Sequence, residues 1–247
     1  MSTTTVVPRG SEIIRPERRL PAIVAAVLLL VAATILINWV LPPWGYPVCG
    51  IVTAGFLVAL SYWSGLEPSR IGLDRRYVGR AAVIGLLGLG LVALAFGAAL
   101  AIPALRLIFL HGGMDARPVG NLLWEVLVRI PLGTVLLEEV AFRGVLPALF
   151  GGGRQWRWKA VLGAAALFGL WHVHPALALE HNAMVREHLG ALPLVVVPVL
   201  VMLAAAVAGV VLYWWRHAGR GLLSPALVHL ATNSGVLFSA WFLLAYN

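Results

Sequence analysis

The sequence predicts an all-α fold, a polytopic transmembrane helix bundle of about seven spans within a range of six to eight. Three observations carry this expectation. Of 247 residues, 61% are hydrophobic and 11% charged, whereas a soluble domain averages roughly 25% charged. Apolar runs of about 20 residues, long enough to cross a bilayer, recur along the chain. The basic residues fall in short clusters between those runs, as loop charges do on the inner side of a membrane. The net charge of +8 therefore points to a membrane surface. It does not point to nucleic acid, because no basic groove with interleaved aromatics accompanies it. Cys49 is the only cysteine and lies in an apolar run. No disulfide within the chain and no cysteine zinc site is then possible.

Residues 1–20, with Arg9, Arg15, Arg18, Arg19, Pro8 and Pro16, read as a flexible cytoplasmic tail. The run 21–40 is about 20 residues, longer than the ~7–15 of a signal-peptide core, so it reads as a retained first helix. Residues 42–46 form a turn with interfacial aromatics, and a second span covers 47–64. Residues 66–80 are a polar connection holding Arg70, Arg75, Arg76 and Arg80. The third span, 81–105, is rich in Gly and Ala, which let helices approach closely in lipid. A loop over 106–120 leads to an interfacial helix, 121–130. There Glu125 and Arg129 have the i,i+4 spacing of an ion pair, and Pro131 separates this piece from a fourth span, 131–150. Gly151 to Lys159 ends that span. The fifth span is 160–176, the loop 177–190 follows, the sixth span is 191–213, Trp214 to Gly221 is a short loop, and the seventh span is 222–246. An inside N-terminus places most of the 18 Lys and Arg residues on the inner side and leaves Arg106, Arg117 and Arg186 outside. That asymmetry supports both the count and the orientation. The Met, Trp and Gly residues of the spans read as packing and interfacial anchoring.

Against this background Glu138 and Glu139 stand out. A charge at bilayer depth costs roughly 3 to more than 10 kcal/mol, so intramembrane ionisable residues mark functional sites by default. On an α-helix adjacent side chains diverge by about 100°, so the two glutamates cannot do the same job. Glu139 and Arg143 are at i,i+4 and can pair as structural support. Glu138 has no local partner, and a carboxylate in a poorly solvated cavity is a stronger base than one in water. His172 and His174 lie on the fifth span, about 200° apart; His174, nearer the end, reads as interfacial. His229 and Asn233 share one face of the seventh span. With a rise of ~1.5 Å per residue, Glu138 and His172 both lie about 18 Å from the inner end, and His229 and Asn233 about 10 and 16 Å. Unrelated packing polars would have no reason to agree in depth.

Glu138-Glu139-x-x-x-Arg143, Phe168-x-x-x-His172 and His229-x-x-x-Asn233 resemble, in order, the three signatures of the CAAX protease and bacteriocin-processing family. That family, also called Abi, includes Rce1-like prenyl-protein proteases. The flanking Phe142-Arg143-Gly144-Val145-Leu146, Tyr213-Trp214-Trp215-Arg216 and Leu223-Ser224-Pro225-Ala226 are similar as well. The resemblance spans about 130–240. It divides the chain into a tail (1–20), N-terminal transmembrane helices (21–118) and a catalytic transmembrane core (119–247). It implies a glutamate-type intramembrane endopeptidase that needs no metal or other cofactor. The implied partners are the lipid bilayer and a membrane-associated peptide or protein substrate. Such a site needs water at depth, hence a cavity open to the cytoplasm. Glu138 would take a proton from a water held between it and His172. Asn233 would donate to the oxyanion, and His229 would join it or protonate the leaving amine. Two alternatives stand beside this. One is a zinc site of Glu138, His172 and His229, although no His-Glu-x-x-His occurs. The other is a non-catalytic scaffold, immunity protein or proton-coupled carrier; no inverted repeat favours a carrier.

Overall fold

The computed structural model describes residues 15–110, 118–179 and 195–246. Every regular element among them is helical. In chain order they are α1 (Pro16–Val40), α2 (Gly45–Trp63), α3 (Arg75–Ala101), α4 (Pro103–Leu110), α5 (Val119–Leu149), α6 (Trp158–Trp171), α7 (Val173–Ala178), α8 (Val196–Gly219) and α9 (Leu223–Tyr246). Six of these, α1, α2, α3, α5, α8 and α9, are long and apolar enough to cross a membrane.

Helices α1 and α3 turn mostly small residues inward and large apolar residues outward. On α1 the buried face is Ala22, Ala26, Leu30 and Ala33, while Leu20, Val24, Leu28 and Val31 are exposed. On α3, Ala81, Gly85 and Gly88 are buried while Leu86, Leu87, Leu91 and Leu94 face out. Water would drive the large side chains in. Lipid is as apolar as leucine, so close backbone approach decides instead. A Cβ on Gly50 would meet the Leu132 carbonyl and lie 2.8 Å from Gly133 Cα, so α2 and α5 cross nearly backbone to backbone. With an apolar surface and six such helices, the chain is a multi-pass integral membrane protein.

Prolines set several boundaries, and some differ from expectation. α1 starts at Pro16, not residue 21, with Pro in its first turn, where the missing N–H costs nothing. Arg18 then donates to the Trp63 carbonyl and Arg19 to the Leu149 carbonyl, so the basic tail end is part of the packing. The third span ends at Ala101. Ile102, preceding Pro103, is extended as pre-proline residues are, and α4 follows where a loop was expected. Residues 111–117 of that loop lie outside the described residues, as do the tail before Arg15 and most of the loop expected over 177–190.

The fourth span and the expected interfacial helix are one helix, α5. Pro131 does not separate them, because it sits inside a π-helical stretch, Glu125–Val135, whose wider hydrogen-bond register absorbs a residue with no N–H. The Glu125–Arg129 ion pair forms as its spacing predicts. The expected fifth span is instead broken at His172 into α6 and α7. Pro175 explains the break: it cannot donate to the Trp171 carbonyl one turn back, and its ring crowds that carbonyl. Arg216, expected in a loop, lies inside α8, which runs to Gly219 and ends on Arg220 in the left-handed conformation (φ 58°).

The start of α1, the ends of α2, α5 and α8, and the starts of α3, α6 and α9 share one end of the bundle. Hydrogen bonds from Arg18, Arg19, Arg80, Arg216 and the Leu222 amide tie these ends together. Arg70, Arg75, Arg76, Arg154, Arg157 and Lys159 belong to the same end.

Candidate active site

α5 carries Glu138, Glu139 and Arg143 into the centre of the bundle. Their relative exposures are 5%, 2% and 0%, and that of His229 on α9 is 6%. Such burial of four ionisable groups is tolerable only if they face one another. They do. Glu139 Oε1 lies 3.4 Å from Arg143 Nη1. It also accepts a 2.7 Å hydrogen bond from His229 Nδ1. The other nitrogen of the same ring, Nε2, lies 3.6 Å from Glu138 Oε2. One imidazole thus hydrogen-bonds Glu139 and places its other nitrogen beside Glu138, whose Oε2 has no hydrogen-bond partner.

Glu139 thus pairs with Arg143 as its spacing predicts, and it shares His229 with Glu138. Both glutamates keep ordinary right-handed helical dihedrals, and a second π-helical stretch, Glu139–Val145, begins between them; the His229 ring, with a nitrogen on each edge, reaches both carboxylates. Glu138 also has a partner that sequence reading missed. Trp171 Nε1 donates to Glu138 Oε1 at 2.9 Å. The signal was present, since a tryptophan within a span carries one N–H that requires an acceptor when buried. Reading the tryptophans only as packing and anchoring overlooked it.

Phe168 on α6 holds the cluster together. The Arg143 guanidinium stacks over its ring at 3.9 Å from the centroid. The His172 ring packs edge-on against it at 4.5 Å and the His229 ring at 6.3 Å. The break after Trp171 frees the Phe168 carbonyl from the regular ladder, and His172 Nδ1 bonds to it at 2.8 Å. A carbonyl only accepts, so Nδ1 carries the hydrogen; in the neutral ring Nε2 then keeps its lone pair. His174 lies apart, its ring edge-on to Trp39 at 5.5 Å, consistent with its interfacial reading. Asn233 is half-buried one turn beyond His229 on α9.

Glu138 Oε2 and His229 Nε2 face each other at 3.6 Å, and a hydrogen bond between them requires a proton shared by the pair. An apolar groove of about 390 Å³ adjoins it, lined by Leu30, Val31, Trp39, Phe142, Leu167 and Trp171 among others. Val31, Trp39 and Leu170 of its wall are exposed on the outer surface, so the groove opens laterally between α1 and α6. Trp171 belongs both to the groove wall and to Glu138. Among the described residues, no three His, Cys, Asp or Glu side chains are grouped to hold a metal ion.

A helical membrane protein with paired glutamates and a histidine buried at mid-helix defines a class: membrane proteins with an intramembrane acid–histidine centre. The family model "Type II CAAX prenyl endopeptidase Rce1-like" matches residues 120–235. Over these residues, which hold α5, α6, α7, α8 and the first half of α9, the chain is similar to the Rce1-like CAAX prenyl endopeptidases, a family of peptide hydrolases. No curated protein and no solved structure matches the chain.

Proposed function

We propose that this protein is an intramembrane endopeptidase that hydrolyses a peptide bond of a membrane-associated substrate, with Glu138 as general base. The observation that carries the reading is the Glu138–His229–Glu139 cluster beside Arg143, held in a protein similar to an endopeptidase family. Glu138 removes a proton from a water, and the water oxygen attacks the scissile carbonyl. The resulting oxyanion takes hydrogen bonds from the Asn233 amide and from His229 when it carries the shared proton. Collapse breaks the C–N bond, and the proton on Glu138 passes to the leaving amine. His172, with Nε2 as an acceptor, orients the water. Glu139 and Arg143 hold His229 in place and balance its charge. No step uses a metal.

The lateral groove supports a substrate with an apolar segment or lipid chain that enters from the bilayer. To reach Glu138 it displaces the Trp171 indole. The basic end of the bundle faces the cytoplasm by the positive-inside rule, and the water-filled access opens there.

The test uses protein reconstituted in vesicles and a farnesylated C-a-a-X peptide, with the release of the C-terminal tripeptide as readout. Glu138→Gln is expected to lower turnover by about 10²–10⁴-fold while leaving peptide binding intact. Wild-type turnover in that variant would remove the peptidase reading in favour of a scaffold. Activity that persists in strong chelators is also expected; loss restored by zinc would instead support a zinc site built on Glu138, His172 and His229.

A further inference from the structure

At the basic end, between the start of α3 and the end of α8, lies a second cavity, of about 320 Å³. Its walls hold Arg80, Arg154, Arg216 and Arg220, with Tyr77 and His217 beside them. No carboxylate lines it among the described residues.

Ordinary inner-side arginines are spread apart and solvated. These are held in place by neutral acceptors. Arg216 is buried; its two terminal nitrogens donate to the carbonyls of Gly153 and Arg70, and its Nε has no hydrogen-bond partner. Arg80 Nε donates to the Ala218 carbonyl at 2.8 Å. Arg220 donates to the Tyr77 hydroxyl at 3.3 Å and lies over the same ring. These bonds orient the guanidinium groups without neutralising them. Asp74 lies within electrostatic reach of Arg154, but Arg76 grips both its oxygens, at 2.8 Å and 3.0 Å. The hydrogen bonds from Arg76 hold the Asp74 carboxyl below its ordinary range, so its charge is already committed. Four converging cations in a concavity call for an anion.

The planar guanidinium matches phosphate in geometry better than it matches a spherical ion. The cavity is at the small end of ligand sites, which run from about 300 Å³, and suits a compact head rather than a peptide. Trp158 and Trp214, both exposed at this same end of the bundle, mark the level of the lipid headgroups. We propose that this pocket binds a phosphate group at the membrane surface, supplied either by the headgroup of an anionic phospholipid or by a soluble phosphate. The inference does not depend on the peptidase reading.

Purified full-length protein in neutral detergent is offered mixed phosphatidylcholine and phosphatidylglycerol, and retained lipid is read by native mass spectrometry. A parallel arm follows thermal unfolding against inorganic phosphate. Arg80 and Arg220 are exposed, so R80Q/R220Q tests the pocket, and R157Q/K159Q removes the same charge nearby as a control. Wild type is expected to retain phosphatidylglycerol selectively, and the pocket variant about tenfold less, with the control unchanged. That outcome assigns the lipid source. Phosphate stabilising the wild type but not R80Q/R220Q, with no lipid selectivity, assigns the soluble source. Displacement of phosphatidylglycerol from the wild type by phosphate supports the site without any variant. Equal lipid retention in all three proteins, with no phosphate-dependent stabilisation, overturns the proposal.

Discussion

At the scale of single residues, the centre is a buried chain of ionisable groups, Glu138–His229–Glu139–Arg143, in which each member makes the next tolerable. Arg143 has no exposed surface and its guanidinium is spent on Glu139 and the Phe168 ring. R143M leaves Glu139 with one balancing cation fewer, and breaking such a pair costs about 3–5 kcal/mol. Thermal unfolding in detergent is expected to show that loss; unchanged unfolding would mean that Glu139 is balanced elsewhere. Trp171 plays a different part. W171F keeps the ring in the groove wall and removes only the N–H that holds Glu138 Oε1. A hydrogen bond to a charged group is worth about 1.5–3 kcal/mol. Turnover is therefore expected to fall at least about tenfold with stability and peptide KM little altered. A rise in KM at constant kcat would instead make Trp171 a substrate contact. The Glu139–Arg143 pair and the approach of His229 to Glu138 were legible in sequence, because charges that cannot meet water must meet each other; the hydrogen bond from His229 to Glu139 was not. The indole was not, since aromatic residues are common in spans for other reasons.

At the scale of elements, irregular helix geometry does what a regular helix would prevent. The first π-helical stretch in α5 holds Pro131 mid-helix, and a second one begins at Glu139 beside the His229 imidazole. Pro175 breaks the fifth apolar run after Trp171, and His172 takes up the carbonyl that the break releases. P175A restores the missing N–H, so α6 and α7 are expected to join, raising helix stability while pulling His172 off the Phe168 carbonyl and lowering turnover. A variant as active as the wild type would show that the break has no part in the chemistry. The prolines were visible in sequence. Their consequences were not, because a proline can end a helix, kink it or be absorbed, and neighbouring helices decide which.

At the scale of the whole molecule, the arginines gather at one end and the large apolar side chains face outward. With Cys49 as the only native cysteine, a cysteine-free background needs one substitution. In that background R154C is expected to react with a membrane-impermeant maleimide only after the cells are opened, and W44C, in the turn between α1 and α2, in intact cells. The reverse pattern would overturn the cytoplasmic placement of the basic end. Composition pointed to a membrane, and apolar runs of about 20 residues chose helices over a closed barrel, the two structures that satisfy every backbone group in lipid. Periodic small residues and the placement of the arginines determined much of the rest. Tertiary structure alone decided how the polar residues pair: which nitrogen of His229 meets which glutamate, that Trp171 holds Glu138, and that Arg216 is an anchor inside α8. Those outcomes depend on distances of a few ångströms between helices far apart in the chain, and residue spacing along one helix carries no record of them.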